Sequence, residues 1–206
     1  PLYRRCGVGE DGEGPPDPQV AVRLRRSFAA VQRFAGGSLL VSKRIANNRR
    51  IGLLAAVFPD ARFVHLIRDG RAVAFSLSRV DWWQDDVVWW YGDTPRRWTD
   101  EGGDPWELCA RHWVRELAAI EQGLRVVPGP QRLEVRYEEL VEGPIAGVRR
   151  VAAFAGLAED PGWTDELSRL GYPNRNEAWR DKLPEDVRAR IEELQLVELR
   201  RLGLVG

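Results

Sequence analysis

Three side chains of this sequence sit where chemistry on an anionic ligand is most easily built, and a fourth lies close by. Lys43, Arg68 and Tyr137 each follow a short apolar run of strand character, and Ser76 lies eight residues beyond Arg68. In an open parallel sheet, ligands bind beyond the carboxyl ends of the strands. A guanidinium fork with a hydroxyl on the following helix suits a terminal phosphate, the first giving charge and the second a hydrogen bond. The alternative is an ion-paired or exposed arginine beside a surface serine. Among 31 basic residues only Lys43 and Lys182 are lysines. In a chain that otherwise uses arginine, a lysine invites a chemical reason, against which stands chance survival on the surface.

The elements that must position these residues follow from the hydrophobic pattern. Val20, Leu24, Phe28 and Val31 recur at helical spacing across Gln19–Phe34. Ser38–Ser42 holds the run Leu39, Leu40, Val41, a candidate buried strand ending at Lys43. Asn47 or Asn48 is placed to cap a helix carrying Ile51, Leu54 and Val57. Arg62–Arg68 is a second strand candidate, with a helix through Arg79 after it. Glu107–Val126 forms a long amphipathic helix, with Cys109, Trp113, Leu117, Ile120 and Leu124 along one stripe. Arg132–Tyr137 is a third strand candidate, and Ile145–Phe154 and Pro184–Leu202 are further helices. Strands alternating with helices predict a parallel α/β sheet in a single domain over residues 1–206. Gly7–Pro18 reads as a mobile loop whose Glu10, Asp11 and Glu13 would repel phosphate.

Composition narrows the function classes. Lysine plus arginine and aspartate plus glutamate both number 31, so the net charge is zero, which argues against a broad nucleic-acid surface while allowing a local basic pocket. Two cysteines, Cys6 and Cys109, give neither a disulfide framework nor a metal-ligand spacing, and His65 and His112 lie far apart. No metal is expected. No apolar run approaches the length of a membrane-spanning helix. His65 is expected to be buried within its strand, His112 solvated near Glu116, and Cys109 packed in the core.

The segment FPDARFVHLIRDGRAVAFSLSR (Phe58–Arg79) resembles the 3′-phosphate-binding segment of sulfotransferases that use 3′-phosphoadenosine 5′-phosphosulfate (PAPS). VRYEELVEGP (Val135–Pro144), FAGL (Phe154–Leu157) and NEAWRDKLPED (Asn176–Asp186) follow the family's order and spacing. The Arg-Asp-Gly-Arg form is especially similar to tyrosylprotein sulfotransferases, while many bacterial and carbohydrate members carry proline at Gly70. The resemblance implies that Arg68 and Ser76 hold the nucleotide's 3′-phosphate and that Tyr137 lines its site. It implies that Lys182 or the neighbouring Arg180 closes over the nucleotide. It also gives Lys43 a catalytic role, contacting the sulfuryl group and its leaving oxygen, with Arg44 as the competing residue. Where the branch acting on small phenols and steroids has a histidine, this chain has Ile45, so that base is missing. Glu10 and Glu13 cannot be aligned with the carboxylate base of the other branches. The family's phosphosulfate-binding loop has no counterpart in Pro1–Ser38, so the expected fold is a three-layer, parallel-sheet, P-loop-like sulfotransferase type without its first strand-loop-helix unit.

Residues Asp81–Trp106 hold six of the nine tryptophans, with Tyr91, in no clear period. They are either a satellite core or an acceptor pocket in which flat rings cover an aromatic, lipid or sugar face; Trp82, Trp83, Trp89 and Trp90 are the substrate-binding candidates. The activity implied is transfer of a sulfuryl group from PAPS to a hydroxyl or amine of a small-molecule or glycan acceptor. The alternatives are a degenerate domain that binds nucleotide or a partner without catalysis and, less favoured, a nucleotide kinase. A cytoplasmic location is the expectation.

Overall fold

Local signals start and stop the first helix. The Asp17 carboxylate accepts the N–H groups of Gln19 (2.6 Å) and Val20 (3.4 Å), Pro18 opens the first turn, and Gly36 closes the last in the left-handed region at φ 67°. The computed structural model describes residues 3, 16–37, 39–158, 160, 162–170 and 173–205. Most of the acidic segment beginning at Gly7, with Glu10 and Glu13, lies outside them, as do Cys6 and Ser38. In order, the elements are α1 (Pro18–Ala35), a 3-10 turn (Ile45–Arg49), α2 (Ile51–Val57), β1 (Phe63–Ile67) and α3 (Gly70–Leu77). A second 3-10 turn (Asp81–Asp85) leads to α4 (Pro95–Asp100), α5 (Pro105–Leu124) and β2 (Arg132–Arg136). The remainder is helical: α6 (Tyr137–Glu142), α7 (Pro144–Ala155), α8 (Trp163–Leu170), α9 (Ala178–Lys182) and α10 (Glu185–Arg201). Among the described residues no helix is long and apolar enough to cross a membrane.

The chain groups into two compact units. One comprises Pro1–Phe63 with Glu116–Arg132, the other Val64–Arg115 with Leu133–Gly206. In the first, Leu24 of α1 and Leu53, Leu54 and Val57 of α2 are buried around Tyr3, with Phe28 and Phe58 packed against them. Phe28 lies between two rings, with centroids 6.1 Å from Tyr3 and 5.0 Å from Phe58.

In the second unit, Ala72 and Ala74 of α3, Leu108, Cys109 and Ala110 of α5, Trp179 of α9 and Ile191 of α10 share one core. Gly70 is where these helices come closest. A Cβ there would stand 2.6 Å from both the Trp113 ring and the Gln195 side chain. Gln195 is fully buried, and its amide N–H₂ donates to the carbonyls of Gly70 (3.1 Å) and Ala110 (3.3 Å), tying α10 to α3 and α5. β1 and β2 pair in a parallel sheet. Along β1, Val64 and Leu66 are exposed while Ile67 is buried, the period-two alternation of a strand with one covered face.

Four local expectations need correction. Leu39–Ser42 forms no strand. Val41 is 81 % exposed there, so the run is not covered as a buried strand would be. Neither Asn47 nor Asn48 caps α2: both lie inside the 3-10 turn, and α2 starts after Arg50 with no side-chain cap. The Asn48 amide donates instead to the buried Glu116 carboxylate at 2.7 Å, a charged acceptor that outcompetes a backbone position. His65 is half-buried rather than buried: it shares the covered face of β1 with Phe63 and Ile67, but of the three only Ile67 is fully covered. His112 is not a solvated helix residue, because its Nδ1 accepts the Trp90 indole N–H at 3.2 Å and its ring meets Trp83 edge-on at 4.8 Å.

Candidate functional site

Because β1 and β2 are parallel neighbours, the residues just past their carboxyl ends arrive on the same side of the sheet. Arg68 follows β1 and Tyr137 opens α6 directly after β2, one residue later than the end of the strand. The Arg68 guanidinium lies 4.3 Å from the centroid of the Tyr137 ring, a cation–π contact that fixes the plane of the fork. Its Nε donates to Asn176 Oδ1 at 3.0 Å, and Nη2 makes a long 3.4 Å contact to the Arg175 carbonyl. Nη1 has no partner among the described residues. The fork is therefore held by its inner edge and its face, leaving the Nη1–Nη2 edge for a ligand.

Two residues not singled out from the sequence hold this arrangement. Asn176 is buried, and while its carbonyl oxygen takes Arg68, its amide donates to Glu138 Oε1. The same Glu138 oxygen accepts the backbone N–H of Asp69 at 3.3 Å. Its other oxygen, Oε2, is buried without a hydrogen bond. The chain Asp69, Glu138, Asn176, Arg68 thus links the residue after β1, the start of α6 and the segment before α9. Both residues lie in the stretches VRYEEL and NEAWRDK, but nothing local shows that they meet.

Ser76 lies on α3 with its hydroxyl exposed and unbonded among the described residues. Asp69 and Arg71 belong to the scaffold. Asp69 caps α3 through the Arg71 N–H (2.8 Å) and grips the Arg71 guanidinium at 2.8 and 3.1 Å. Arg71 also pairs with Glu192 at 2.7 Å and lies over the Trp179 ring. Burial works against its charge, but Asp69 and Glu192 more than offset that and hold its pKa above the ordinary arginine value.

The other candidates are placed as follows. Lys43 and Arg44 are exposed, in the first unit, in the irregular segment before the 3-10 turn; Asn47 donates to Ser42 Oγ, next to Lys43, at 3.3 Å. Arg180 is exposed, ion-paired with Glu177 and stacked on Trp179. Lys182 is exposed at the rim of a surface cavity of about 410 Å³, which Trp83 also lines. Trp83 is only 3 % exposed and sits in the core, whereas Trp82 is 47 % exposed. Trp89 and Trp90 are half-buried, and Arg115 stands 5.9 Å over the Trp90 ring. Cys109 is packed as expected, and burial pushes its thiol pKa up to about 12. Among the described residues no group of three or more His, Cys, Asp or Glu could hold a metal ion.

Comparison with known proteins bears on family and fold. A sequence model of the group described as "Sulfotransferase family" matches residues 17–161, more than half of the chain. Carbohydrate sulfotransferases 6 and 5 of Homo sapiens are each 29 % identical over 174 residues, which cover 70 % of this chain and 42 % and 40 % of theirs. The omega-hydroxy-beta-dihydromenaquinone-9 sulfotransferase Stf3 of Mycobacterium tuberculosis is 25 % identical over 150 residues, covering 68 % of this chain and 35 % of that protein. The chain therefore spans about two fifths of the length of the curated relatives it matches. Among solved structures, the sulfotransferase domain from the curacin biosynthetic pathway aligns with a TM-score of 0.57 at 16 % identity, over 84 % of this chain and 66 % of that one. The sulfotransferase domain of the Synechococcus PCC 7002 olefin synthase aligns with a TM-score of 0.56 at 21 % identity, over 95 % and 74 %. At such identities the two structures establish the α/β fold.

Proposed function

The chain belongs to the sulfotransferase family, and on that premise we propose that it transfers a sulfuryl group from PAPS to a hydroxyl, or less readily an amine, of a small-molecule or glycan acceptor. The observation that carries this reading is the Arg68 fork, held at the strand ends by Tyr137 and Asn176 with its outer edge open. That edge suits a phosphate monoester, which accepts two parallel N–H bonds from one guanidinium. Ser76, exposed on α3, adds a neutral donor. The relatives named for carbohydrates and for an omega-hydroxylated menaquinone support a hydroxyl acceptor.

PAPS supplies an activated sulfuryl group whose bridging oxygen gains negative charge as its bond to sulfur breaks. The role proposed for Lys43 rests on the resemblance: a fixed ammonium that stabilises this charge, so that catalysis consists mostly of positioning and electrostatics. Radiolabelled PAPS with a panel of hydroxyl acceptors tests the reading. Lys43→Ala is expected to lower turnover by about 10²–10³-fold while nucleotide affinity changes little. Lys43→Arg should not fully restore it, because the fork puts its charge elsewhere. Acceptor-independent loss of label, or full activity of Lys43→Arg, refutes the assignment.

A further inference from the structure

The cavity at the far end of α3 has a chemical make-up of its own. Phe75, Ser78 and Arg79 line it from the carboxyl end of α3, whereas Arg68 precedes the amino end. An eight-residue helix separates those ends by about 12 Å, and Ser76 stands in its last turn, next to Phe75. Trp83 and Trp106 give it flat indole surface, and Leu183 adds aliphatic surface beside Phe75. Among the described residues no carboxylate lines it. Two cations do, Arg79 and Lys182, and neither makes an ion pair among the described residues. Their neighbours behave differently: Arg96 pairs with Asp85, Arg97 with Glu101, Arg111 with Glu107 and Arg180 with Glu177. Arg79 instead lies 5.2 Å from the centroid of the Phe75 ring, directed along the cavity's apolar wall. Cys109 contributes no opposing charge, since its buried thiol stays protonated with a pKa of about 12.

We propose that this cavity binds an organic anion with a flat apolar body: one or two fused rings carrying a single carboxylate, sulfate or phosphate. The rings would meet indole and phenyl surface, and the anionic group the two unpaired cations at the rim. A volume of about 410 Å³ holds such a molecule. Neither element suffices alone, because exposed cations bind simple anions weakly and the apolar wall by itself does not select for charge. The cavity takes in Trp83 and Lys182, expected from the sequence to serve acceptor and nucleotide, but binding of an organic anion there goes beyond the sulfuryl-transfer reading and does not require transfer.

Calorimetry on the purified protein with 2-naphthyl sulfate, 2-naphthoate and neutral 2-naphthol tests this. Both anions are expected to bind at least about tenfold more tightly than 2-naphthol, and to quench indole fluorescence. Arg79→Gln combined with Lys182→Gln is expected to bring the three affinities together. Both positions are exposed, so thermal melts of the double variant should match the parent and confirm that it folds. A second variant, Trp106→Ala, is expected to weaken all three ligands alike. Equal affinity for naphthol and the anions in the parent overturns the proposal, as does anion binding unchanged in the double variant. Displacement of 2-naphthyl sulfate by 3′-phosphoadenosine 5′-phosphate also overturns it, by making the cavity part of the nucleotide's site. No readout requires sulfuryl transfer, so failure here leaves that reading standing.

Discussion

Replacing Arg68 separates a phosphate ligand from a structural arginine by a ratio rather than a single affinity. In the parent, 3′-phosphoadenosine 5′-phosphate should bind more tightly than adenosine 5′-phosphate, because only the former presents a group to the open Nη1–Nη2 edge. A hydrogen bond to a charged group contributes about 1.5–3 kcal/mol, which converts to roughly 10–150-fold in affinity. Arg68→Ala should therefore lower the affinity of the 3′-phosphorylated nucleotide by that factor and leave adenosine 5′-phosphate within about twofold. Arg68→Lys should recover only part of the ratio, since a lysine keeps charge but cannot make two parallel bonds while stacked on Tyr137. Asn176→Ala should fall between, because the fork stays charged but loses the 3.0 Å bond that fixes its inner edge. Isothermal calorimetry with both nucleotides on each variant measures the ratio directly. If Arg68→Ala weakens both nucleotides equally, or leaves the ratio intact, Arg68 is a scaffold residue and the phosphate must be bound elsewhere.

Three further outcomes are expected. Gly70→Ala should destabilise the protein by about 1–3 kcal/mol, because its Cβ would lie 2.6 Å from the Trp113 ring and Gln195, both buried; urea unfolding with an unchanged midpoint would refute this. Trp83→Ala, at 3 % exposure, should cost about 3–5 kcal/mol, whereas Trp82→Ala, at 47 %, should stay within about 0.5 kcal/mol, as read from thermal melts of the two variants. Glu107 is held below its ordinary value of 4.5 chiefly by Arg190, with burial opposing and Arg111 assisting. A depressed folded pKa means stability that is present above the ordinary value and is lost as pH falls through the lower, folded one. The stability gap between the parent and Glu107→Gln should thus be open at pH 7, begin to narrow as pH falls below the ordinary value of 4.5 and be gone below the lower, folded one, as tested by urea midpoints across that range.

What was legible in the sequence was whatever local pattern determines. The apolar runs Arg62–Arg68 and Arg132–Tyr137 marked both strands, and the residues at their ends met because parallel neighbours share an edge. The run at Leu39–Val41 had the same local character, yet it is irregular, with Leu39 and Val41 exposed, so the pattern alone did not make a buried strand. The Asn176–Glu138 link was invisible for a related reason: its members lie 38 residues apart, and Asn176 lies 108 residues from Arg68. The tryptophan-rich segment has no period because its residues pack individually. Trp83 and Val88 enter the core while Trp82 and Val87, each one position away, stay exposed.

Arg68 and Arg71 show most clearly what tertiary structure adds. They stand three residues apart in one motif, carry the same group, and both stack on an aromatic ring. Sequence alone cannot assign one to a ligand and the other to the scaffold. Their partners do. Arg71 is 4 % exposed and spends its donors on Asp69, Glu192 and the Leu204 carbonyl, so any anion reaching it would have to displace a carboxylate. Arg68 meets only neutral oxygens, those of Asn176 and Arg175, so its charge is not cancelled by an acid in direct contact. Asp69 is taken by Arg71, and Glu138 reaches Arg68 only through Asn176, its Oε1 accepting the Asp69 N–H and the Asn176 amide. Burying Arg71 against Asp69 thus does two things at once. It anchors the start of α3, and it removes the one carboxylate adjacent in sequence that could have neutralised Arg68. An Arg71→Leu substitution would free Asp69, which could then turn toward Arg68. Such a variant should lose the preference for a 3′-phosphate without touching the nucleotide, and Arg71→Leu combined with Asp69→Asn should regain it in nucleotide-binding calorimetry. If the double variant binds no better than the single one, the division of labour between these two arginines is not what keeps Arg68 available.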